Sequence, residues 1–351
     1  MNVNKNREWF LYFSKTKLIN KDIMKTFIPS GKIYQVVFYV LIFVFFSCIN
    51  TKKKENAETT VENAKTESKP FFKLSLAEWS LHRTFNDDGV SPFEFAKMSK
   101  DLGFEGLEYV SQLYNSQVQE FGFDVVIDSL KTLSELNKMQ NVLIMVDGEG
   151  NLADPDETKR NEAVENHKKW VDAAQKLGCH SIRVNTFGTN DPELWKETVV
   201  DGLRKLATYA ATKNINVLCE NHGWLSSDAP KLMEAIHAVN MPNCGTLPDF
   251  GNWCVKRKDG AQWGECEEEY PDKYQGIEML LNAAKAVSAK SYDFDENGNE
   301  TTLDYPRILQ LVKDSGYKNF IGVEYEGARL SEKEGLLATK ELLLNSVATL
   351  K

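Results

Sequence analysis

The fold class this sequence predicts is α/β: a single closed (β/α)8 barrel preceded by an export leader and a flexible tether, and three observations predict it. From Phe71 onward, short apolar runs alternate with amphipathic segments of helical period, the pattern of repeated βα units around a parallel sheet. The runs number eight, and eight strands with their helices in roughly 280 residues is the size of a closed barrel. The first run is followed by Glu78-Trp79-Ser80-Leu81-His82 where a dinucleotide-binding sheet carries a Gly-rich loop, which disfavours the alternative, an open doubly wound sheet.

The chain opens with a segment that does not belong to the globule. Met24, Lys25 and Lys32 precede the uninterrupted apolar run Val36 to Phe46, and Ser47-Cys48 follows it. A positive flank, an apolar stretch too short to span a bilayer comfortably and a small residue before the cut describe an export signal over residues 1–47. Residues 48–70 are polar, rich in Lys, Glu, Thr and Ala, and read as a disordered tether. The barrel is expected over residues 71–351, and a hydrophobic fraction of 42% is enough for a full core.

Within the barrel the expected strands are residues 73–79, 106–109, 141–146, 181–185, 215–220, 243–249, 286–291 and 320–324, each followed by a helical stretch. Leu102-Gly103, Leu177-Gly178 and Ser315-Gly316 place glycine just past three helix ends, where a left-handed residue closes the last turn. The connection from Asp249 to Gly276 is longer than the others and carries Trp253, Trp263 and the acidic run Glu265 to Glu269. A long loop over a barrel mouth is more often functional than idle.

Charge and cysteine usage exclude several partners. Residues 1–47 hold seven Lys or Arg and two Asp or Glu, so from residue 48 onward 35 basic groups face 49 acidic ones, a net of −14. That balance argues against nucleic acid and against anionic membrane surfaces. The cysteines form no CxxC pair, so a zinc knuckle is not expected. Cys179, Cys219 and Cys244 sit in or beside apolar runs and read as core residues, whereas Cys254 and Cys266 share one loop and can bridge in an oxidising compartment.

Candidate chemistry lies where buried strands end in polar groups. Ile215 to Cys219 closes on Glu220-Asn221-His222, Cys244 to Pro248 on Asp249, and Phe320 to Val323 on Glu324. One strand-end carboxylate is usually a solvated loop group or a cap, but three in one barrel mouth make a metal site. His222, two residues after Glu220, points to the same side if the strand continues through it, and is the candidate further ligand; a hydrogen-bonded scaffold imidazole is the alternative. Lys290 ends an otherwise buried strand, so its ammonium should face the mouth and meet a carboxylate or a substrate oxygen. Trp79, Trp224 and Trp253 fall at strand ends, where an indole face stacks on a sugar ring or seals the barrel top. His82 and Asn252 are the remaining candidate substrate contacts.

Taken in order, strand-Glu220-Asn-His-Gly, strand-Asp249-Phe-Gly-Asn, strand-Lys290 and strand-Glu324-Tyr resemble the xylose isomerase-like TIM barrels, the group of sugar isomerases and epimerases, over about residues 73–350. The resemblance implies a divalent metal held by Glu220, Asp249 and Glu324, with the two glutamates shuttling protons, and Glu108 as a substrate contact. One position departs: the family's His-x-Lys reads Ser288-Ala289-Lys290 here, so a hydroxyl stands where an imidazole is expected. Oxygen ligands favour Mg²⁺ or Mn²⁺; an imidazole from His222 would make Zn²⁺ possible. Cys48 resembles the anchoring cysteine of a bacterial lipoprotein box, which implies a lipid anchor and a periplasmic or cell-surface location.

A metal chelating adjacent sugar oxygens eases removal of the neighbouring C–H proton, and two carboxylates across it can take and return that proton. Isomerisation, epimerisation and elimination all follow from that start. An exported enzyme meets free sugars, glycosides or keto-sugars, so the expected substrate carries no phosphate. The alternatives are a lyase or dehydratase on keto-glycosides using the same site, and an inactive carbohydrate-binding lipoprotein, motivated by Ser288. An apurinic-site endonuclease shares the barrel but needs a His-rich centre and a basic face, which five histidines and the acidic charge do not supply.

Overall fold

Eight parallel strands follow the eight predicted apolar runs in the computed structural model, which describes residues 70–351; the segments expected to be leader and tether, and Cys48 with its expected lipid anchor, lie outside the described residues. The strands are β1 (Lys73–Ala77), β2 (Gly106–Val110), β3 (Gln140–Val146), β4 (Ser181–Val184), β5 (Asn216–Glu220), β6 (Cys244–Leu247), β7 (Val287–Ser291) and β8 (Phe320–Tyr325). The main helices are α1 (Phe95–Asp101), α2 (Phe123–Asn137), α3 (Glu157–Leu177), α4 (Pro192–Ala211), α5 (Ala229–Val239), α6 (Lys273–Leu281), α7 (Tyr305–Asp314) and α8 (Glu332–Val347). Neighbouring strands pair in chain order from β1 to β6, β1 also pairs β8, and β8 pairs β7. The seam between β6 and β7 is closed by the bridges Thr246 to Ala284 and Asp249 to Ser288, where Ser288 N donates to Pro248 O and Phe250 N to Ser288 O at 3.0 and 3.1 Å. The result is a TIM barrel.

Local chemistry explains where the helices begin and end. Asp156, Asp191, Asp228, Asp272 and Asp304 each cap a helix by accepting from a backbone N–H of its first turn. Ser331 and Glu334 form a reciprocal capping box on α8. The expected glycine stops hold: Gly103, Gly178 and Gly316 have φ of 75°, 82° and 79°, a region only glycine enters without strain.

Two segments differ from expectation. The first strand was predicted through Trp79 but stops at Ala77, because Glu78 turns into the core, where Val110 N and the Tyr114 hydroxyl donate to its carboxyl at 2.8 and 2.5 Å. Burial pushes that carboxyl up to about 8. The long connection after Asp249 is an ordered antiparallel hairpin, Cys254–Arg257 against Cys266–Glu269, joined by a Cys254–Cys266 disulfide with Cα atoms 5.8 Å apart. Among the described residues no helix is long and apolar enough to cross a membrane.

Candidate metal centre

Strand register brings the predicted carboxylates together. The parallel pairing of β7 with β8 sets Lys290 beside Glu324, and the β6 to β7 bridge sets Ser288 beside Asp249. Side chains at i and i+2 share a face of a strand, so Ser288 and Lys290 both point into the mouth. Ligand oxygens of Glu220, Asp249 and Glu324 lie within 4.8 Å of one another, and all three side chains are buried.

Each member of this trio is held in place. Asp249 Oδ1 accepts from the backbone N–H groups of Gly251 and Asn252 at 2.8 and 2.9 Å. The Ser288 hydroxyl sits between two acids, 2.7 Å from Asp249 Oδ2 and 3.0 Å from Glu324 Oε2. Asn252 Nδ2 donates to Glu220 Oε1 at 2.9 Å. Arg183 Nε lies 2.8 Å from Glu220 Oε2, an ion pair in which neither atom makes a well-aligned hydrogen bond. Lys290 Nζ is 3.0 Å from Glu326, 3.3 Å from Glu324 and 4.0 Å from Asp249.

The electrostatics follow from burial and count. Burial raises the carboxyls of Glu220, Asp249 and Glu324 above their ordinary range, against the opposing pull of Arg183 on Glu220 and of Lys290 on the other two. Burial would also strip the proton from Lys290, but Glu324, Glu326 and Asp249 hold its ammonium well above the usual range. Asp147 and Glu326 show the reverse balance: burial acts to raise them, and Arg183 and Lys290 respectively pull them below the usual carboxylate range. With Asp147 and Glu326 included, five carboxylates surround two fixed cations, Arg183 and Lys290. A divalent cation fits such a deficit. Glu220, Asp249 and Glu324 would hold it with the Ser288 hydroxyl at their side, an all-oxygen donor set that suits Mg²⁺ or Mn²⁺.

Several predicted site residues stand elsewhere. His222 is not in the cluster: β5 ends at Glu220, the chain turns at Gly223 with φ of 109°, and His222 Nδ1 bonds Asn185 Oδ1 at 2.6 Å. Burial, with Arg183 and Lys290 adding to it, lowers that imidazole to about 3 and keeps it neutral. Trp253 is not exposed to the mouth: it is 2% exposed, its Nε1 donates to Phe250 O at 2.9 Å, and its ring packs against Gly276 of α6, leaving no face for a substrate. Trp224 lies on the rim, with Nε1 donating to Ala261 O at 2.9 Å. Trp79 does reach the site, donating from Nε1 to Glu326 Oε1 at 2.5 Å, and His82 supports it from behind as a stacked ring 4.5 Å away.

Glu108 lies inside the barrel. Ser75 Oγ donates to it at 2.6 Å, and burial pushes its carboxyl up to about 8. It fits there because β8 carries glycine opposite: a Cβ on Gly322 would lie 2.4 Å from the Glu108 carboxylate.

Arg183, Asp147, Asn185 and Glu326 were not anticipated, although their signals were present. Arg183 is a cation inside the buried strand Ser-Ile-Arg-Val, the same anomaly that marked Lys290. Asp147 closes the apolar run of β3 just as Glu220 closes that of β5. Glu326 stands two residues beyond Glu324.

The sequence pattern of the xylose isomerase-like TIM barrel matches residues 96–345. A crystal structure described as D-psicose 3-epimerase with D-tagatose from Clostridium cellulolyticum H10 superposes with a TM-score of 0.57 at 14% identity, covering 78% of this chain and 96% of that one. The IOLI protein with a binding zinc atom gives 0.59 at 14% identity, covering 80% and 99%. Over 41 residues the chain is 49% identical to a C-glycoside deglycosidase alpha subunit of Arthrobacter globiformis, a match spanning 12% of each protein. With the pattern extending over most of the chain and the folds superposing, the protein belongs to the xylose isomerase-like TIM barrel family.

Proposed function

We propose that this protein is a divalent-metal-dependent sugar isomerase or epimerase that abstracts a proton next to a carbonyl on a non-phosphorylated sugar or keto-sugar. The observation that carries the reading is the trio Glu220, Asp249 and Glu324, buried and within 4.8 Å, with Lys290 beside it. A bound divalent cation would polarise the sugar carbonyl and acidify the adjacent C–H. Glu220 and Glu324 are the proton-transfer pair, one taking the proton and the other returning it, while Asp249 is immobilised by two backbone N–H groups. Lys290 is placed to donate to a substrate oxygen, and Trp79 to cover a ring face. The superposable epimerase from Clostridium cellulolyticum H10, described with D-tagatose, supports a sugar as the ligand.

The absence of phosphate follows from charge. Arg183 and Lys290 are both already paired with carboxylates, and five acids surround them, so a phosphate dianion would enter a negative field. The export leader expected over residues 1–47 and the lipid anchor expected at Cys48 would bring the protein to sugars outside the cytoplasm.

A second reading, elimination from a keto-glycoside, is favoured by the short match to the deglycosidase subunit. It uses the same proton abstraction and differs in what leaves. Deuterium exchange in D2O, followed by NMR on candidate sugars, glucosides and their 3-keto derivatives, tests both. Glu220→Gln and Glu324→Gln should each abolish exchange while the fold survives; exchange at the parental rate in either variant defeats the reading. Tight sugar binding with no exchange over hours in the parent would leave a binding lipoprotein instead.

A further inference from the structure

Among the described residues, the exposed large apolar side chains Leu136, Leu194 and Leu344 lie on α2, α4 and α8, whereas Trp263, 51% exposed, lies in the hairpin loop beside the mouth. Its indole meets the Phe187 ring edge-on at 5.2 Å and the His222 ring at 5.1 Å, and Phe187 meets Trp224 edge-on at 5.7 Å. Such a cluster presents one large indole to solvent while its partners fix the angle.

The platform is tied down at several points. The hairpin carrying Trp263 is closed by the Cys254–Cys266 disulfide, Trp224 Nε1 donates to Ala261 O at 2.9 Å, and Arg257 Nη1 donates to Gly264 O at 2.6 Å. Trp224 itself sits at φ of 52°, a strained conformation for a bulky side chain, of the kind held where a site demands it. Arg257 packs against Gly223, and its buried Nε has no hydrogen-bond partner. A relay of contacts links the platform to the metal centre: Trp263 contacts His222, His222 bonds Asn185, Asn185 and Asp147 hold Arg183, and Arg183 pairs with Glu220.

We propose that Trp263, with Phe187 and Trp224 behind it, is a second subsite that binds a ring attached to the sugar held at the carboxylate trio, so that the substrate is a ring-bearing keto-glycoside and not a free monosaccharide. This rests on the sugar chemistry proposed above. The indole face covers the apolar face of the attached ring. A free monosaccharide would fill the metal site alone and leave the Trp263 indole in water. A preorganised, disulfide-closed platform would then serve no binding purpose.

The test is calorimetric binding to the full protein in Mn²⁺, comparing phenyl glucoside, cellobiose and methyl glucoside. At least one ring-bearing ligand should bind about tenfold or more tightly than methyl glucoside, the gain of a well-placed aromatic contact. The phenyl and cellobiose arms tell an aromatic substituent from a second sugar. Trp263→Ala should erase the preference without changing the methyl glucoside affinity, and Trp263→Phe should restore most of it. Trp263 is half exposed, so these variants should unfold at the parental urea midpoint. No preference in the parent, no binding of any ligand, or a preference that survives Trp263→Ala overturns the proposal. The readout needs no turnover: preference without deuterium exchange refutes the reaction and keeps the subsite, and exchange without preference does the opposite.

Discussion

Replacing Lys290 by Met removes the ammonium that lies 3.0 Å from Glu326, 3.3 Å from Glu324 and 4.0 Å from Asp249, at 1% exposure. Methionine follows the lysine side chain as far as Cε and omits only the terminal ammonium, so the perturbation is mainly charge and little volume. At an effective dielectric of about 20, a pair 3 Å apart attracts by roughly 5 kcal/mol, but much of that is offset by the cost of desolvating both charges. Removing one partner leaves the acids buried and unpaired, for which about 3 to 5 kcal/mol of destabilisation is expected at pH 7. The sign of the pH dependence follows. Glu326, held below the usual range by Lys290, contributes stability in the parent that is present above the unfolded carboxylate value and lost as pH falls through its folded value. The raised Lys290 contributes stability that is lost only at high pH, so it is constant between pH 7 and pH 5. The variant lacks the first contribution and relieves its unpaired acids by protonation, so the gap between the two proteins narrows from pH 7 to pH 5. Urea unfolding at both values, without added metal, is the assay. A gap under about 1 kcal/mol at pH 7, or one that widens on acidification, would refute the ion-pair account of this centre.

Three further outcomes are expected. Glu108, raised to about 8 by burial, binds a proton in the folded state that the unfolded chain has lost, so it draws stability down as pH rises from about 4.5 to about 8; Glu108→Gln should flatten urea stability across that window, and an unchanged slope would disprove the shift. Asp249→Asn should abolish the rise in melting temperature on adding Mn²⁺, a rise corresponding to about 2.7 kcal/mol in the parent at a hundredfold excess over Kd; a retained rise would place the ion elsewhere. Reducing the Cys254–Cys266 bridge, 12 residues apart in sequence, releases a loop constraint of about 3 kcal/mol; limited proteolysis should then cut between the two cysteines, and resistance equal to that of the oxidised protein would count against a disulfide-held hairpin.

Much of this protein was legible in one dimension. Strand and helix periods, glycine stops and the eightfold alternation are local properties, and they located every barrel strand to within about two residues. The carboxylate trio was legible for a related reason: a charge closing a buried apolar run has few places to go except the mouth. The same rule applied to Arg183 and Asp147 would have found them too.

What the sequence by itself determined, then, is which residues end the strands and which faces those strands bury. Only the tertiary structure decided who meets whom. Glu220, Asp249 and Glu324 are brought within 4.8 Å by a ring of parallel pairings between elements far apart in the chain, and no local pattern encodes that distance. His222 and Trp253 show the limit most directly. Alternation predicts direction only while the strand continues, and both residues lie past its end, where a glycine at φ of 109° and a packed hairpin reorient them. The physical reason is that period is a property of regular backbone, whereas the rim of a barrel is built from turns whose geometry is set by what they pack against.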